Sequence, residues 1–374
     1  MASVRKIAKQ AGVSVATVSR ALNNHASVNA DTREKVLAAA SIVGYSLPAS
    51  RRIATAIGLA YPGEPVRPDY GAFDSALLTG ILRGLNDYRY DLKIVAIQRD
   101  KSPTETYTQF FARKGIRGVI LRTFSDTRSL CEAIAEEGFP SIVIADRFEN
   151  PKVNFVCTDS KDDSRRALQH LLSLGHRRIA LAVHRIPDTD HTDRRKAYFE
   201  TLEANGVSID PDLVLEISAS TEGGSAVVTH LASMAEPPTA IFFTDPLASV
   251  GALRRCQELG ISVPTDLSIV GFDDSDIRHH VFPSMTAVCQ DATMLGCEAA
   301  RWLTAMVGGH ALPTFRKVFP TMFEINRTTA PPSTNPVRVL PDGTRLAVVV
   351  PGAERPTENS VSVPAARNAS RRVP

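Results

Sequence analysis

From Ile57 onward, short β-rich runs alternate with amphipathic stretches of helical length. No other feature of the chain constrains its fold as tightly. The runs "IGLAY", "LKIVAI", "GVIL" and "SIVIA" come first, and "RIALAV", "LVLEI", "AIFFT" and "LSIVGF" repeat the scheme. Repeated strand–helix units predict parallel sheets covered by helices on both faces. Two such sets, divided near Asp159, predict two doubly wound lobes. In such sheets ligands bind beyond the carboxyl ends of the strands. Polar residues directly after strands are therefore site candidates: Arg122, Asp146, Arg147, Asp245 and Asp273.

Several enzyme classes lack their motifs here. No G-x-G-x-x-G follows the first run, and the chain carries no Walker motif and no G-x-S-x-G elbow. The segment "HRIPDTDHTD", His184 to Asp193, is dense in acids and histidines. It lacks the glycine and terminal acid of a calcium loop, and reads as a polar loop on a cleft rim. No metal or cofactor is expected.

With 374 residues there is length for more than one domain, and 43% apolar with 22% charged residues is a globular balance. No apolar run reaches the ~18 residues of a membrane span. Five scattered cysteines (Cys131, Cys157, Cys256, Cys289, Cys297) without CxxC spacing point to buried thiols in a reducing compartment. No secretory signal is visible, so a cytoplasmic location and no membrane partner are expected.

The net charge of +3 is unevenly divided. Residues 1–52 hold eight Lys or Arg against two acids, a net +6, whereas the rest holds 35 against 38, a net −3. A basic end on a slightly acidic body suits a polyanion partner for that end alone. Within it, Val4, Ile7, Ala8 and Ala11 form one apolar stripe, and Gly12 stops that helix. Ser14 stands as the N-cap of a second helix, leaving only the tight turn of a helix-turn-helix. Val18 and Leu22 bury that helix, and Val15, Ala16, Ser19 and Arg20 face outward. Asn29 caps a third helix from Ala30 to about Val43, with Val36, Leu37 and Ala40 inward and Gly44 as its stop.

The outward face of the second helix consists of small hydrogen-bonding groups and one arginine. Free N–H groups at a helix start and short hydroxyls suit phosphate oxygens. Arg20 reaches a guanine edge or a phosphate, and Val15 and Ala16 permit close approach to the major groove.

The stretch "VRKIAKQAGVSVATVSRALNN…VNADTREKVLAAASIVGY" resembles the headpiece of the LacI/GalR family of bacterial transcription regulators. The resemblance implies contacts to DNA phosphates and bases from Ser14, Val15, Ala16, Thr17, Arg20, Asn23, Asn29, Thr32 and Tyr45. Family members follow the headpiece with a hinge helix whose leucine wedges into the minor groove. Here "LPASRRIATAIG" offers Pro48, Ala49, Arg51 and, in place of leucine, Ile53, on a linker several residues shorter. The implied division is a headpiece over 1–47, a hinge over 48–56 and a two-lobed, periplasmic-binding-protein-like body over 57–327.

The resemblance continues through the body. "GAFDSALLTG" places Phe73 and Asp74 at pocket positions, and Ala145-Asp146-Arg147 and Asp159-Ser160 follow their strands. Arg194 lies in "RRKAYFETL", Asp245 follows "AIFF", "VPTDLSIVGFDD" supplies Asp273 as the implied ligand-binding acid, and "PSMTAVCQD" supplies Gln290. Aspartates and arginines around one aromatic suit the vicinal hydroxyls and apolar face of a sugar. The expectation is a homodimeric regulator, a repressor by preference. It reads a pseudo-palindromic double-stranded operator under control of a small-molecule effector, a sugar or sugar derivative. The alternatives are an activator built from the same parts, or a sugar-binding protein that does not bind DNA. Beyond about Thr328 the pattern fails. Residues 331–374 hold eight of the 24 prolines, and 328–374 reads as a disordered tail, within which "VRVLPDGTRLAVVV" has hairpin character around Pro341-Asp342-Gly343 that allows local order.

Overall fold

A computed structural model of the chain describes residues 4–22, 28–43, 56–61, 72–122, 127–185, 188–334, 337–340 and 342–348. Asn23, Tyr45, Ile53, the hinge up to residue 55 and the chain after 348 lie outside the described residues. Three helices come first: α1 (Val4–Ala11), α2 (Val15–Leu22) and α3 (Ala30–Ile42). Next are β1 (Ala56–Tyr61), α4 (Ala72–Asn86), β2 (Asp91–Ala96), α5 (Ile97–Asp100), α6 (Tyr107–Arg113), β3 (Ile116–Arg122), α7 (Arg128–Glu136), β4 (Ser141–Ile144) and β5 (Phe155–Asp159). The second half holds α8 (Lys161–Ser173), β6 (Ile179–His184), α9 (Thr189–Ala204), β7 (Val214–Ile217), α10 (Thr221–Ser233), β8 (Ala240–Phe243), α11 (Pro246–Glu258), β9 (Ser268–Asp273), α12 (Ile277–His280) and β10 (Thr286–Cys289). It closes with α13 (Ala292–Val307), β11 (Arg316–Pro320), β12 (Met322–Glu324), β13 (Val337–Val339) and β14 (Arg345–Ala347).

The strands form two six-stranded sheets. The first has the order β11-β5-β4-β3-β1-β2 with every pair parallel. The second has the order β12-β10-β9-β8-β6-β7 and is parallel except for β12. Strands buried on both faces explain the near-continuous apolar runs, such as Ser141–Ile144 and Ala240–Phe243, all buried.

The alternation in the sequence does not reveal how the chain returns. It passes to the second sheet after Asp159, comes back between β10 and α13, and leaves again between β11 and β12. Helix α13 therefore covers the first sheet, its Leu295, Ala299 and Leu303 packing with Leu77 and Ile81 of α4 and with Ile57 and Ile120. Each fully buried side chain of this kind contributes about 1.5–3 kcal/mol. The two helices touch through glycine: a Cβ on Gly80 would lie 1.9 Å from the Thr293 carbonyl oxygen.

The expectation of a disordered tail from residue 328 is corrected for residues 328–334, 337–340 and 342–348. The buried Thr328 hydroxyl donates to the Ile269 carbonyl at 2.6 Å and accepts from the Thr286 N–H at 2.9 Å. Strands β13 and β14 form an antiparallel hairpin, and Val339 is fully buried in the core of the second lobe. Arg338 Nε donates to the Ser233 carbonyl at 2.8 Å. The hairpin character expected in this stretch is borne out by β13 and β14, whereas its docking on the second lobe had no signal in the sequence. Ending the chain after Thr334 is expected to cost about 2 kcal/mol through loss of Val339 burial, read as a lower Tm by calorimetry. No helix among the described residues is long and apolar enough to cross a membrane.

Candidate functional site

Two surfaces carry the functional candidates. The first is the outer face of the headpiece. Its core is Ile7, Ala8, Val18, Ala21, Leu22, Val28, Val36, Ala39 and Ala40. Leu37, expected inside, is half exposed, and Ala39 takes the inward position. Gly12 adopts φ +65°, which lets α1 end and the chain turn within Gly12–Ser14. Ser14 Oγ then accepts the Thr17 N–H at 3.0 Å, and Asn29 Oδ1 accepts the Thr32 N–H at 2.9 Å. Both caps order a helix start toward the same surface. Thr17, Arg20, Val28, Asn29 and Thr32 line a polar concavity of about 160 Å³ there. Val15, Ala16, Ser19 and Arg20 are exposed along α2.

The second surface is the cleft between the lobes, lined by the carboxyl ends of both sheets. Asp146 is fully buried after β4. It accepts Arg128 Nη1 at 2.5 Å, the Arg147 N–H at 2.9 Å and, from the other lobe, the Thr189 hydroxyl. Ala145 just before it sits at φ +63°, a position that costs energy for a residue with a Cβ. Arg128 holds this turn by also donating to the Arg147 carbonyl at 2.7 Å. Arg147 itself reaches across the cleft to an ion pair with Asp193, and lies 3.9 Å from Asp159.

Arg122 ends β3, buried, with its guanidinium 4.9 Å over the Phe73 ring. Asp74 lies 3.5 Å away and Asp188, from the second lobe, 3.7 Å. Asp188 caps α9, accepting the His191 N–H at 2.9 Å, and pairs with His191 Nδ1 at 2.7 Å. Burial pushes its carboxyl up, but His191, Arg122 and Arg194 outweigh burial and hold it well below the usual range. Arg194, one turn into α9, lies 3.7 Å over the Phe272 ring. It is buried, and donates to Ser160 Oγ at 3.2 Å and to the Thr244 carbonyl at 2.9 Å. Among the described residues both hydrogen-bond partners are neutral.

Two expected acids are occupied by local structure. Asp245 caps α11, accepting Leu247 N–H at 3.0 Å and Ala248 N–H at 3.3 Å, and burial raises its carboxyl above the ordinary range. Asp273, the acid implied by resemblance, is fully buried in the turn after β9. It accepts N–H groups of Ser275, Ile277 and Arg278 at 3.1–3.2 Å and Arg278 Nη1 at 2.7 Å. The neighbour Asp274 takes the cleft-side place, accepting Gln290 Nε2 at 2.6 Å, with burial pushing its carboxyl up to about 7. Strand parity carries the signal: Phe272 and Asp274 share one face, and Arg194 stacks on that face.

Asp188, Asp190, His191 and Asp193 lie in the segment that the sequence predicts as a polar loop on the cleft rim. Their signal was the Asp-x-x-His spacing at 188–191, an N-cap pattern directly after a strand. Thr158, whose hydroxyl lies 2.7 Å from Gln290 Oε1, had no signal.

The model for bacterial regulatory proteins of the lacI family matches residues 3–47, and that for a periplasmic binding protein-like domain matches 168–329. The HTH-type transcriptional regulator reg1 of Streptomyces lividans is 30% identical over 337 residues, covering 87% of this chain and 95% of that protein. Among solved structures, the transcriptional regulator CelR in complex with cellobiose is 26% identical with a TM-score of 0.63, covering 87% of this chain and 99% of that one. A LacI family transcriptional regulator from Enterococcus faecium with bound ribose is also 26% identical with a TM-score of 0.63, over 74% and 99% of the two chains. These relatives are regulators rather than enzymes. A helix-turn-helix on a two-sheet, clefted body, with a relative of this identity along nearly its whole length, means that the chain belongs to the LacI family of bacterial transcriptional regulators.

Proposed function

We propose that this regulator is a homodimeric repressor whose hold on a pseudo-palindromic operator is set by a sugar or sugar derivative bound in the cleft. The observation that carries the effector reading is Arg194. Among the described residues it is a buried guanidinium hydrogen-bonded to two neutral acceptors, on an aromatic face, with the second-lobe acids Asp188, Asp190 and Asp274 around it. Such a group and its neighbours match vicinal hydroxyls, which donate to the acids and accept from the arginine. The bound cellobiose and ribose of the two structural relatives agree with this class.

In this reading Ser14, Val15, Ala16, Thr17, Ser19, Arg20, Asn29 and Thr32 contact DNA, joined by Asn23, Tyr45 and Ile53 on the strength of resemblance. Phe73, Asp74, Arg122, Asp146, Arg147, Arg194 and Gln290 contact the effector, with Asp274 in place of Asp273 and Asp245 shaping the rim. Residues 1–47 act as the headpiece, 48–56 as the hinge, and the body runs from 57 through the hairpin. Dimerisation has apolar surface available on both lobes: Leu82 on α4 and Ile94 on the edge strand β2 are 51% and 63% exposed, and Phe282 is 78% exposed. Two headpieces joined by a dimeric body double the contacts one headpiece makes.

A thermal-shift panel of cellobiose, ribose and other mono- and disaccharides on the full chain tests the effector class. Stabilisation by a purine base and by no sugar overturns it. With the sugar that binds, Arg194→Ala is expected to weaken affinity at least about tenfold by calorimetry, because a hydrogen bond to a charged group contributes about 1.5–3 kcal/mol. Footprint position relative to the promoter separates repressor from activator.

A further inference from the structure

Four side chains form one hydrogen-bonded row where the lobes meet: Asp274, Gln290, Thr158 and Asp190. Gln290 Nε2 donates to Asp274 Oδ1 at 2.6 Å, and Thr158 Oγ1 lies 2.7 Å from Gln290 Oε1 and 3.2 Å from Asp190 Oδ2. Thr158 belongs to the first sheet. Asp190 belongs to α9 and Asp274 follows β9, both in the second lobe.

Counting hydrogens along this row gives a deficit of one. It has three contacts with a carboxyl at each end, and the two middle groups supply one amide and one hydroxyl hydrogen. With Gln290 oriented as above, Thr158 spends its single hydrogen on Gln290, so the bond to Asp190 needs a proton on Asp190. With the amide turned over, Gln290 donates to Thr158 and Thr158 to Asp190, and the contact with Asp274 then needs a proton on Asp274. With one hydrogen in each contact, one terminal carboxyl is neutral in both arrangements.

We propose that the row binds one proton, held at either Asp190 or Asp274, and that this proton favours the lobe arrangement in which Thr158 meets Asp190, so that pH acts on the same equilibrium as the effector. The proposal rests on reading the cleft as a two-state, ligand-controlled switch.

The surroundings suit a neutral acid. Both carboxyls are buried, and among the described residues Asp190 Oδ1 has no hydrogen-bond partner, which a carboxylate oxygen tolerates poorly. Asp190 faces Asp188 on its own helix, Arg194 one turn on, Arg147 from the first lobe and the Cys157 thiol on β5. Burial and the charge of Asp188 push it up to about 7 against the pull of the two arginines. Asp274 faces Arg194, Asp245 and Asp273, and burial brings it to about 7 as well.

The sign follows. With the lobes apart, a hydrated carboxyl titrates at about 3.9. With them joined, burial raises each terminal carboxyl to about 7, so the row keeps its proton well above the hydrated value. Between those limits the joined arrangement carries one proton more. It therefore loses about tenfold in population ratio per unit rise of pH, levelling off above about 7.

The test uses the full chain without effector. Infrared carboxyl titration from about pH 5 to about pH 9 is expected to show one neutral carboxyl lost near 7 that belongs to the row. Asp190→Asn and Asp274→Asn each supply the missing hydrogen as an amide, so each single variant removes that signal, and the double variant removes no more than either. Small-angle scattering should give a radius of gyration that rises with pH in the wild type and stays at its low-pH value in Asp190→Asn. A double variant that loses twice the signal of each single one overturns the shared proton. A wild-type radius independent of pH overturns its coupling to the lobes. Neither measurement involves a sugar, so failure of the effector class leaves them unaffected, and the sugar panel likewise survives their failure.

Discussion

Arg20→Ala is expected to lower operator affinity of the full chain by a factor between about 30 and on the order of 10⁴, with the body still folded. The range follows from the chemistry of one arginine contact. A bidentate bond to a guanine edge is worth about 1–3 kcal/mol, and a dimer uses two copies, hence about 2–6 kcal/mol. Arg20 is exposed on α2, beside the concavity that the capped starts of α2 and α3 form. Its neighbours Val15 and Ala16 have no hydrogen-bonding side chain, so in the proposed reading they touch at most a thymine methyl and the arginine is expected to carry most of the base discrimination on this helix. A gel-shift titration at fixed salt measures the effect. Affinity within about threefold of wild type would remove this face from the reading surface, since about 0.6 kcal/mol is less than one such contact. Binding should also weaken steeply with salt, because phosphate neutralisation releases counterions.

Asp273→Ala is expected to destabilise the body by about 3 kcal/mol, the lower part of the range for breaking a buried ion pair. The Asp273 side chain is fully buried and ties together the turn that follows β9 through three backbone N–H groups and Arg278. Arg278 keeps Glu324 at 2.9 Å and Asp276 at 2.8 Å, which limits the loss. In a domain of this size that is about 6–12 °C in Tm. Asp274→Ala should act differently: it removes the cleft-side acid and weakens sugar affinity with a smaller change in Tm. Calorimetric Tm and sugar affinity on both variants separate the roles. A normal Tm with lost affinity in Asp273→Ala would return the effector contact to Asp273.

The sequence by itself determined the elements whose causes are local. The headpiece is legible because its stripe, its Gly12 turn and its Ser14 and Asn29 caps act within four residues of one another. The strand–helix alternation is legible because buried parallel strands must be apolar throughout. Arg122, Asp146 and Arg147 are legible as candidates because parallel strands place their carboxyl ends on one edge. Tertiary structure alone decided where the chain crosses between sheets, because α13 is equally amphipathic whichever sheet it covers. It decided that Val339 completes the core of the second lobe, since a three-residue strand gains its stability from the surface it docks on rather than from its own pattern. It also gave Asp273 and Asp274 different partners. Adjacent acids look alike in a sequence, but a strand turns successive side chains to opposite faces, one onto Arg278 and the other toward Gln290 and Arg194.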